Sequence, residues 1–191
     1  MLDVLLREAV MTPATVLSVS SKETPGIPKL VRDEIMLIAG HGVDGDYHAG
    51  ALIRHRSRAA KDPTEPNLRQ VHIVHSELFD EVAPLGIIVK PGLMGENITT
   101  RGLSILELPS GTRLRFGETA VVEVTGLRNP CNQLDSVDER LLAQVALKAL
   151  DGSVVRKAGV MGIVLQSGVV RPGDGIHVEM PTGVSGALEP V

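Results

Sequence analysis

The sequence predicts a mainly β protein with a few helices, folded as a strongly bent β-barrel. Three observations lead there. Short runs rich in Val, Ile and Leu recur along the chain. Turn residues separate them, drawn from 20 glycines and 12 prolines. Helical periodicity is confined to residues 76–85 and 136–149. With no internal repeat and no linker, the 191 residues read as one domain. Its core spans about 14–180, with 1–12 and 181–191 as tails.

Residues 14–20 open the fold as a strand, with Val16, Leu17 and Val19 ahead of a turn-rich segment bearing Pro25, Gly26 and Pro28. Residues 34–39 read as a second strand, and Gly40, Gly42, Gly45 and Gly50 then make a glycine-rich loop. Residues 54–67, with Pro63 and Pro66, form an exposed insertion. Val71, Ile73 and Val74 mark a strand, after which Ser76 begins a short helix with Leu78, Phe79, Val82 and Leu85 on one face. Residues 86–95 are loop or irregular strand. Residues 113–116 and 120–125 form a hairpin around Gly117 and Glu118, and 128–131 bend away from it. Ser136-Val137-Asp138-Glu139 is a capping box. It opens a helix with Leu141, Leu142, Val145 and Ala149 on one side, ended by Asp151-Gly152. Strands at 161–166 and 175–180 flank a turn at Pro172-Gly173-Asp174.

Composition excludes several function classes. Hydrophobic residues make up 43% of the chain, which argues against global disorder. Aromatic residues make up 2%, so stacking platforms for single-stranded nucleic acid are lacking. The net charge of −4 argues against a phosphate-backbone binder, and no nucleic-acid partner is expected. No apolar run is long enough for a bilayer, and the N-terminus lacks the pattern of a signal peptide, so a cytoplasmic protein without a membrane partner is expected. One cysteine suits a reducing compartment and rules out an internal disulfide or an all-Cys zinc site in one chain.

That cysteine, Cys131, is the only source of a soft thiolate. Pro130 stiffens the approach to it, and Arg128 favours its anionic form. Lys157 adds positive charge if the fold brings it near. The competing reading is a small buried apolar Cys. A second cluster is the loop at 40–50, where Asp46 and His48 stand two apart and point the same way in an extended segment. A metal site from His41, Asp44, Asp46 and His48 matches no firm zinc spacing, and a tight turn with Asp capping backbone groups is equally compatible. His72 and His75 fall on opposite faces of one strand, which disfavours shared ligation, and His72 reads as a satisfied strand histidine. No tightly bound structural metal is expected. In the third cluster, at 92–98, Glu96 and Asn97 can meet a polar ligand edge while glycines turn backbone N–H groups toward an anion. Arg54, Arg56, Arg58 and Lys61 give the insertion a basic character suited to attracting an anionic small molecule.

Taken in order, these segments resemble the MOSC domain, named for the C-terminal domain of molybdenum cofactor sulfurases. The likeness rests on Gly45-Asp46-Tyr47-His48-Ala49-Gly50, Arg69-Gln70-Val71, Gly95-Glu96-Asn97-Ile98-Thr99 and Arg128-Asn129-Pro130-Cys131. Lys157-Ala158-Gly159-Val160-Met161 resembles the family's late strand entry. The resemblance implies a sulfur-handling protein that uses a Cys131 persulfide in molybdenum cofactor-related sulfur transfer, a sulfur transferase or related Cys-dependent enzyme. Cys131 and His48 would be catalytic. Asp46, Gln70, Glu96, Asn97, Arg128, Asn129 and Lys157 would bind substrate or cofactor. The implied ligand is the molybdenum cofactor, molybdopterin, with molybdenum-ion and pyridoxal phosphate binding as properties associated with the family. The implied partners are a sulfur donor such as a cysteine desulfurase, or a molybdoenzyme. The chain departs from larger members in having no pyridoxal-phosphate desulfurase domain and little room for an extra N-terminal β domain, so it resembles a stand-alone bacterial-type member. Its insertion at 54–67 exceeds the shorter connection of relatives. Three alternatives remain open: Cys-dependent reductive detoxification of N-hydroxylated base analogues, a non-catalytic cofactor-binding module, and a structural barrel with an inert Cys131.

Overall fold

The computed structural model describes residues 13–54, 62–183 and 186–191. It is mainly β. The first half supplies β1 (Thr15–Ser21), β2 (Leu30–Arg32), β3 (Ile35–Ile38), β4 (Gly42–Val43), β5 (Val71–His75) and β6 (Ile98–Arg101). The second half supplies β7 (Arg113–Phe116), β8 (Ala120–Leu127), β9 (Ala146–Lys148), β10 (Val154–Arg156), β11 (Val160–Gln166), β12 (Gly168–Val170) and β13 (Ile176–Glu179). Two short α-helices are described, α1 (Glu77–Val82) and α2 (Leu141–Val145). No described helix is long and apolar enough to cross a membrane.

One sheet of eight strands, ordered β13-β7-β8-β11-β5-β6-β1-β2, forms the body. Its pairs are antiparallel except β5 with β6. The sheet is open, with β13 and β2 at its edges, so a closed barrel is not what it forms. The free edge of β1 explains this. Val19–Ser21 on that edge pair with β2. Only the start of β1 reaches the turn before β13, through a bridge from Thr15 to Gly175 and the bond Val16 N–H to Asp174 O at 2.9 Å. One strand edge shared by two neighbours cannot give either a full ladder.

The larger apolar core lies on this sheet and includes Val19, Ile73, Ile98, Phe116, Val122 and Val160. A second core gathers Leu78, Val82, Ile87, Met94, Leu134, Leu141 and Val145 under the helices. Phe116 is wholly buried, and branched aliphatics do the remaining filling that few aromatics leave to them.

Several local expectations need correction. The helix expected over 136–149 is replaced by a 3-10 turn at Asn132–Ser136, then α2, then β9. The capping box fails because the Ser136 hydroxyl donates to Gln133 O at 2.7 Å, inside that turn. Asp138 Oδ1 instead accepts the Arg140 backbone N–H and Nε–H, each at 2.9 Å. Asp151-Gly152 turns the β9–β10 hairpin. In α1 and the 3-10 turn after it, Leu78 and Val82 are buried but Leu85 is exposed. The end of the chain is docked: Leu188 is buried and the Leu127 N–H donates to Glu189 O at 2.8 Å. The expected N-terminal tail, 1–12, and residues 55–61 of the insertion lie outside the described residues, and with them Arg56, Arg58 and Lys61.

Candidate functional site

A cavity of about 540 Å³ opens where four connections meet β5 and β11. The β1–β2 loop contributes Ile27 and Lys29, and the glycine-rich loop contributes Tyr47 and His48. Arg69 and His72 come from the entry to β5, Met94 and Asn97 from the approach to β6. The bend after β8 contributes Arg128, Asn129 and Cys131, and Met161 comes from β11. No acidic side chain is among the described lining residues. The cavity therefore combines cationic side chains (Lys29, Arg69, Arg128) with apolar ones (Ile27, Met94, Met161), a combination that suits an organic anion.

Cys131 is half-buried and extended, at φ −137° and ψ 168°, heading the 3-10 turn. Its neighbour Arg128 is fixed through its backbone, whose N–H donates to Gly159 O at 3.0 Å. The guanidinium is buried, faces Cys131, and has an Nη1 with no hydrogen-bond partner among the described residues. Burial lowers its pKa from the ordinary value, and the fields of Cys131 and Glu96 offset part of that. A buried guanidinium donor without a partner, on a residue that lines the cavity, is a group that an anion can satisfy.

Asp46 lies fully buried just behind the wall. Its Oδ2 accepts the Lys22 N–H at 3.2 Å and Asn97 Nδ2–H at 3.0 Å, and pairs with Lys29 Nζ at 2.7 Å. Its Oδ1 accepts the His48 N–H at 3.0 Å and stands 3.5 Å from His48 Nδ1. Burial pushes the carboxyl up, but the contacts from His48 and Lys29 outweigh it and hold the group well below the usual carboxylate range. Burial lowers the Lys29 ammonium in turn, against the opposing pull of Asp46.

Asn97 stitches three segments together. Its Nδ2–H also donates to Ser20 O at 3.2 Å, and its Oδ1 accepts the His72 N–H at 3.1 Å. The His72 ring hydrogen-bonds Ala158 O through Nε2 at 2.7 Å. Since a carbonyl only accepts, Nε2 bears the proton. Burial and the nearby Arg128 hold His72 well below its ordinary value, so this ring is neutral. At the rim, Tyr47 packs edge-on to His48 at 5.3 Å, and the Arg54 guanidinium lies 5.5 Å from the Tyr47 ring centre.

The MOSC domain family model matches residues 44–177. The chain belongs to the MOSC domain family. The likeness read from its motifs is thereby confirmed. Among solved structures it is similar to the YuaD protein of Bacillus subtilis, with 24% identity and a TM-score of 0.72 over 90% of this chain and 98% of that one. It is also similar to YiiM of Geobacillus stearothermophilus, with 21% identity and a TM-score of 0.59 over 87% of this chain and 75% of that one. YiiM of Escherichia coli gives 22% and 0.57 over 91% and 73%. These likenesses establish a shared fold. No curated protein matches the sequence.

Of the site residues expected from sequence, this MOSC domain brings His48, Asn97, Arg128, Asn129 and Cys131 to one cavity. Four others have different work. Asp46 sits behind the wall. Gln70 is buried and its Oε1 accepts the Val164 N–H at 2.9 Å, tying the entry of β5 to β11. The Glu96 carboxylate turns back on its own loop, accepting the Gly92 N–H at 2.6 Å, the Met94 N–H at 3.2 Å and the Thr99 hydroxyl at 3.1 Å. Lys157 pairs with Glu81 and does not line the cavity. His72, expected as a satisfied strand histidine, is satisfied and also lines the cavity. Lys29, Ile27, Met94 and Met161 line it as well, and the sequence pattern does not single them out. Among the described residues no group of three or more His, Cys, Asp or Glu is placed to hold a metal ion.

Proposed function

We propose that this MOSC domain handles sulfur: Cys131 takes up a sulfane sulfur as a persulfide and passes it to an acceptor in the same cavity, in chemistry related to the molybdenum cofactor. The observation that supports this reading is the pairing of the chain's one thiol with a buried guanidinium whose Nη1 has no hydrogen-bond partner among the described residues. In the first step the Cys131 thiolate attacks the terminal sulfur of a donor persulfide. The new S–S bond forms at Cys131, the donor's S–S bond breaks, and the donor leaves as a thiolate, so no oxidant is consumed. Arg128 stabilises the anionic persulfide. Attack by a nucleophilic acceptor on the terminal sulfur then returns Cys131 as a thiolate. His48, half-exposed in the cavity wall, moves protons between solvent and sulfur. The donor in this reading is a persulfide-bearing protein such as a cysteine desulfurase.

The molybdenum cofactor fits the residues present. The described lining is cationic and free of acids, the unpartnered Nη1 calls for an anion, and the thiol is a soft donor. When bound, the cofactor would supply a soft metal centre for sulfur chemistry. Arg128 and Lys29 would hold its anionic groups, and Ile27, Met94 and Met161 would face its less polar body.

Persulfide labelling after incubation with a cysteine desulfurase and cysteine tests the proposal. Wild type should gain about one sulfane sulfur per chain, and Cys131→Ser, which has no thiol, serves as the blank. A wild-type protein that iodoacetamide alkylates readily at Cys131, yet that takes up no sulfur from the donor, would sink it.

A further inference from the structure

We propose that Asp46 is a positioning residue: it touches no ligand, and acts by fixing Lys29, His48 and Asn97 in the cavity wall and by balancing the buried Lys29 ammonium. The idea rests on reading the cavity as an anion site, although its first readout below does not depend on that reading. Asp46 is absent from the lining, while all three of its side-chain neighbours line the cavity. They come from separate connections: Lys29 precedes β2, His48 lies in the glycine-rich loop, and Asn97 precedes β6. One carboxylate therefore gathers groups that no strand pairing holds together. The Lys22 and His48 backbone N–H groups complete its shell and fix its orientation.

The charge arithmetic gives Asp46 a second role. Lys29 is 5% exposed. The charged groups acting on it are Asp46 and Glu96, which favour the ammonium, and Arg128, which opposes it. Glu96 is engaged by the amides of its own loop, so Asp46 at 2.7 Å is the direct partner. Without that partner a buried ammonium beside a buried guanidinium is driven toward the neutral amine. Asp46 thus preserves cationic character in the wall while staying out of contact with whatever binds there.

The test follows Lys29 in Asp46→Asn by NMR of the lysine Cε carbons across a pH titration. Asparagine keeps the volume and removes the charge. The Lys29 titration should move down by roughly one to three pH units, as for loss of an opposite charge at this range. Asp46→Glu should recover part of the shift. A second readout is protection of Cys131 by inorganic phosphate against iodoacetamide, a neutral reagent. In Asp46→Asn this protection should weaken as pH rises through the new Lys29 titration, and in Lys29→Met that pH dependence should vanish. A purely architectural Asp46 would lower the melting temperature and leave the Lys29 titration where it was, which overturns the proposal. Should Asp46→Asn fail to fold, the double variant Lys29→Met, Asp46→Asn decides. Recovery of the fold supports action through Lys29, and failure of both overturns it. Wild-type protein that phosphate does not protect would count against the anion-site reading alone, and the Lys29 titration would still judge Asp46.

Discussion

Arg128→Met is expected to abolish most anion protection of Cys131 while leaving the fold within about 1 kcal/mol of the parent at pH 5. The two effects separate because the guanidinium is poorly served by the folded protein. Its Nη1 has no hydrogen-bond partner among the described residues, and burial disfavours its charge. Methionine fills a similar unbranched space without an orphan donor, and the backbone bond to Gly159 O is kept. A charge-assisted hydrogen bond contributes roughly 1.5–3 kcal/mol, so phosphate protection should fall by about 10- to 150-fold.

A pH dependence accompanies this loss. Burial holds the Glu96 carboxyl above its ordinary 4.5 in the folded state, against the Gly92 and Met94 amides and the Thr99 hydroxyl. A carboxyl raised on folding favours the fold below its unfolded value, and that contribution is lost as pH rises through the folded one. Arg128 offsets part of the burden of the ionised form. Without it, the variant should lose stability relative to the parent as pH rises from 5 toward 8. Urea melts at both pH values check this. Phosphate protection equal to that of the parent would place the anion away from Arg128.

One wall of the cavity is legible in the sequence because the order of its motifs is a family signature. His48, Asn97, Arg128, Asn129 and Cys131 all come from those segments. The β1–β2 side is not legible. Lys29 follows a proline-containing turn and precedes exposed Leu30 and Val31, a context that reads as surface. Only the folded loop buries it against Asp46, with Ile27 packed over Gly95, so no local signal points to it. Glu96 shows the opposite failure. A carboxylate among glycines suggests ligand binding, but the same glycine-rich turn supplies amides that occupy the carboxylate. Strands also divide by context. β5, β8 and β11 have strong apolar runs and are legible, and β7 is legible from its alternation of basic and apolar residues. β6, with two threonines, blends into the loop before it, and β9 reads as the end of a helix because Leu142, Val145 and Ala149 also fit a helical period.

Gly159→Ala is expected to cost about 3–5 kcal/mol of stability, a large loss for one added methyl group. Gly159 stands between Arg128 and β11 at φ +88°. An L side chain in that conformation costs roughly 1–2 kcal/mol by itself. Its Cβ would also lie 2.2 Å from Ile73 O and 2.8 Å from Val74 Cγ2. The first of these is backbone in β5, a strand held on both sides by β11 and β6, so it has little room to move. Displacement would spread to the site, because Gly159 O accepts the Arg128 N–H and the adjacent Ala158 O accepts from His72. For a domain of this size a loss of that order lowers the melting temperature by roughly 6–20 °C. Gly173→Ala isolates the conformational part. Gly173 has a comparable φ of +92°, but a Cβ there meets nothing within 4 Å. Its loss should therefore be about 1–2 kcal/mol, with Cys131 alkylation unchanged. The difference between the two variants measures the clash against β5. Equal melting temperatures in both would mean that β5 yields to the added methyl, and that the close approach of Gly159 does not hold Arg128 in place.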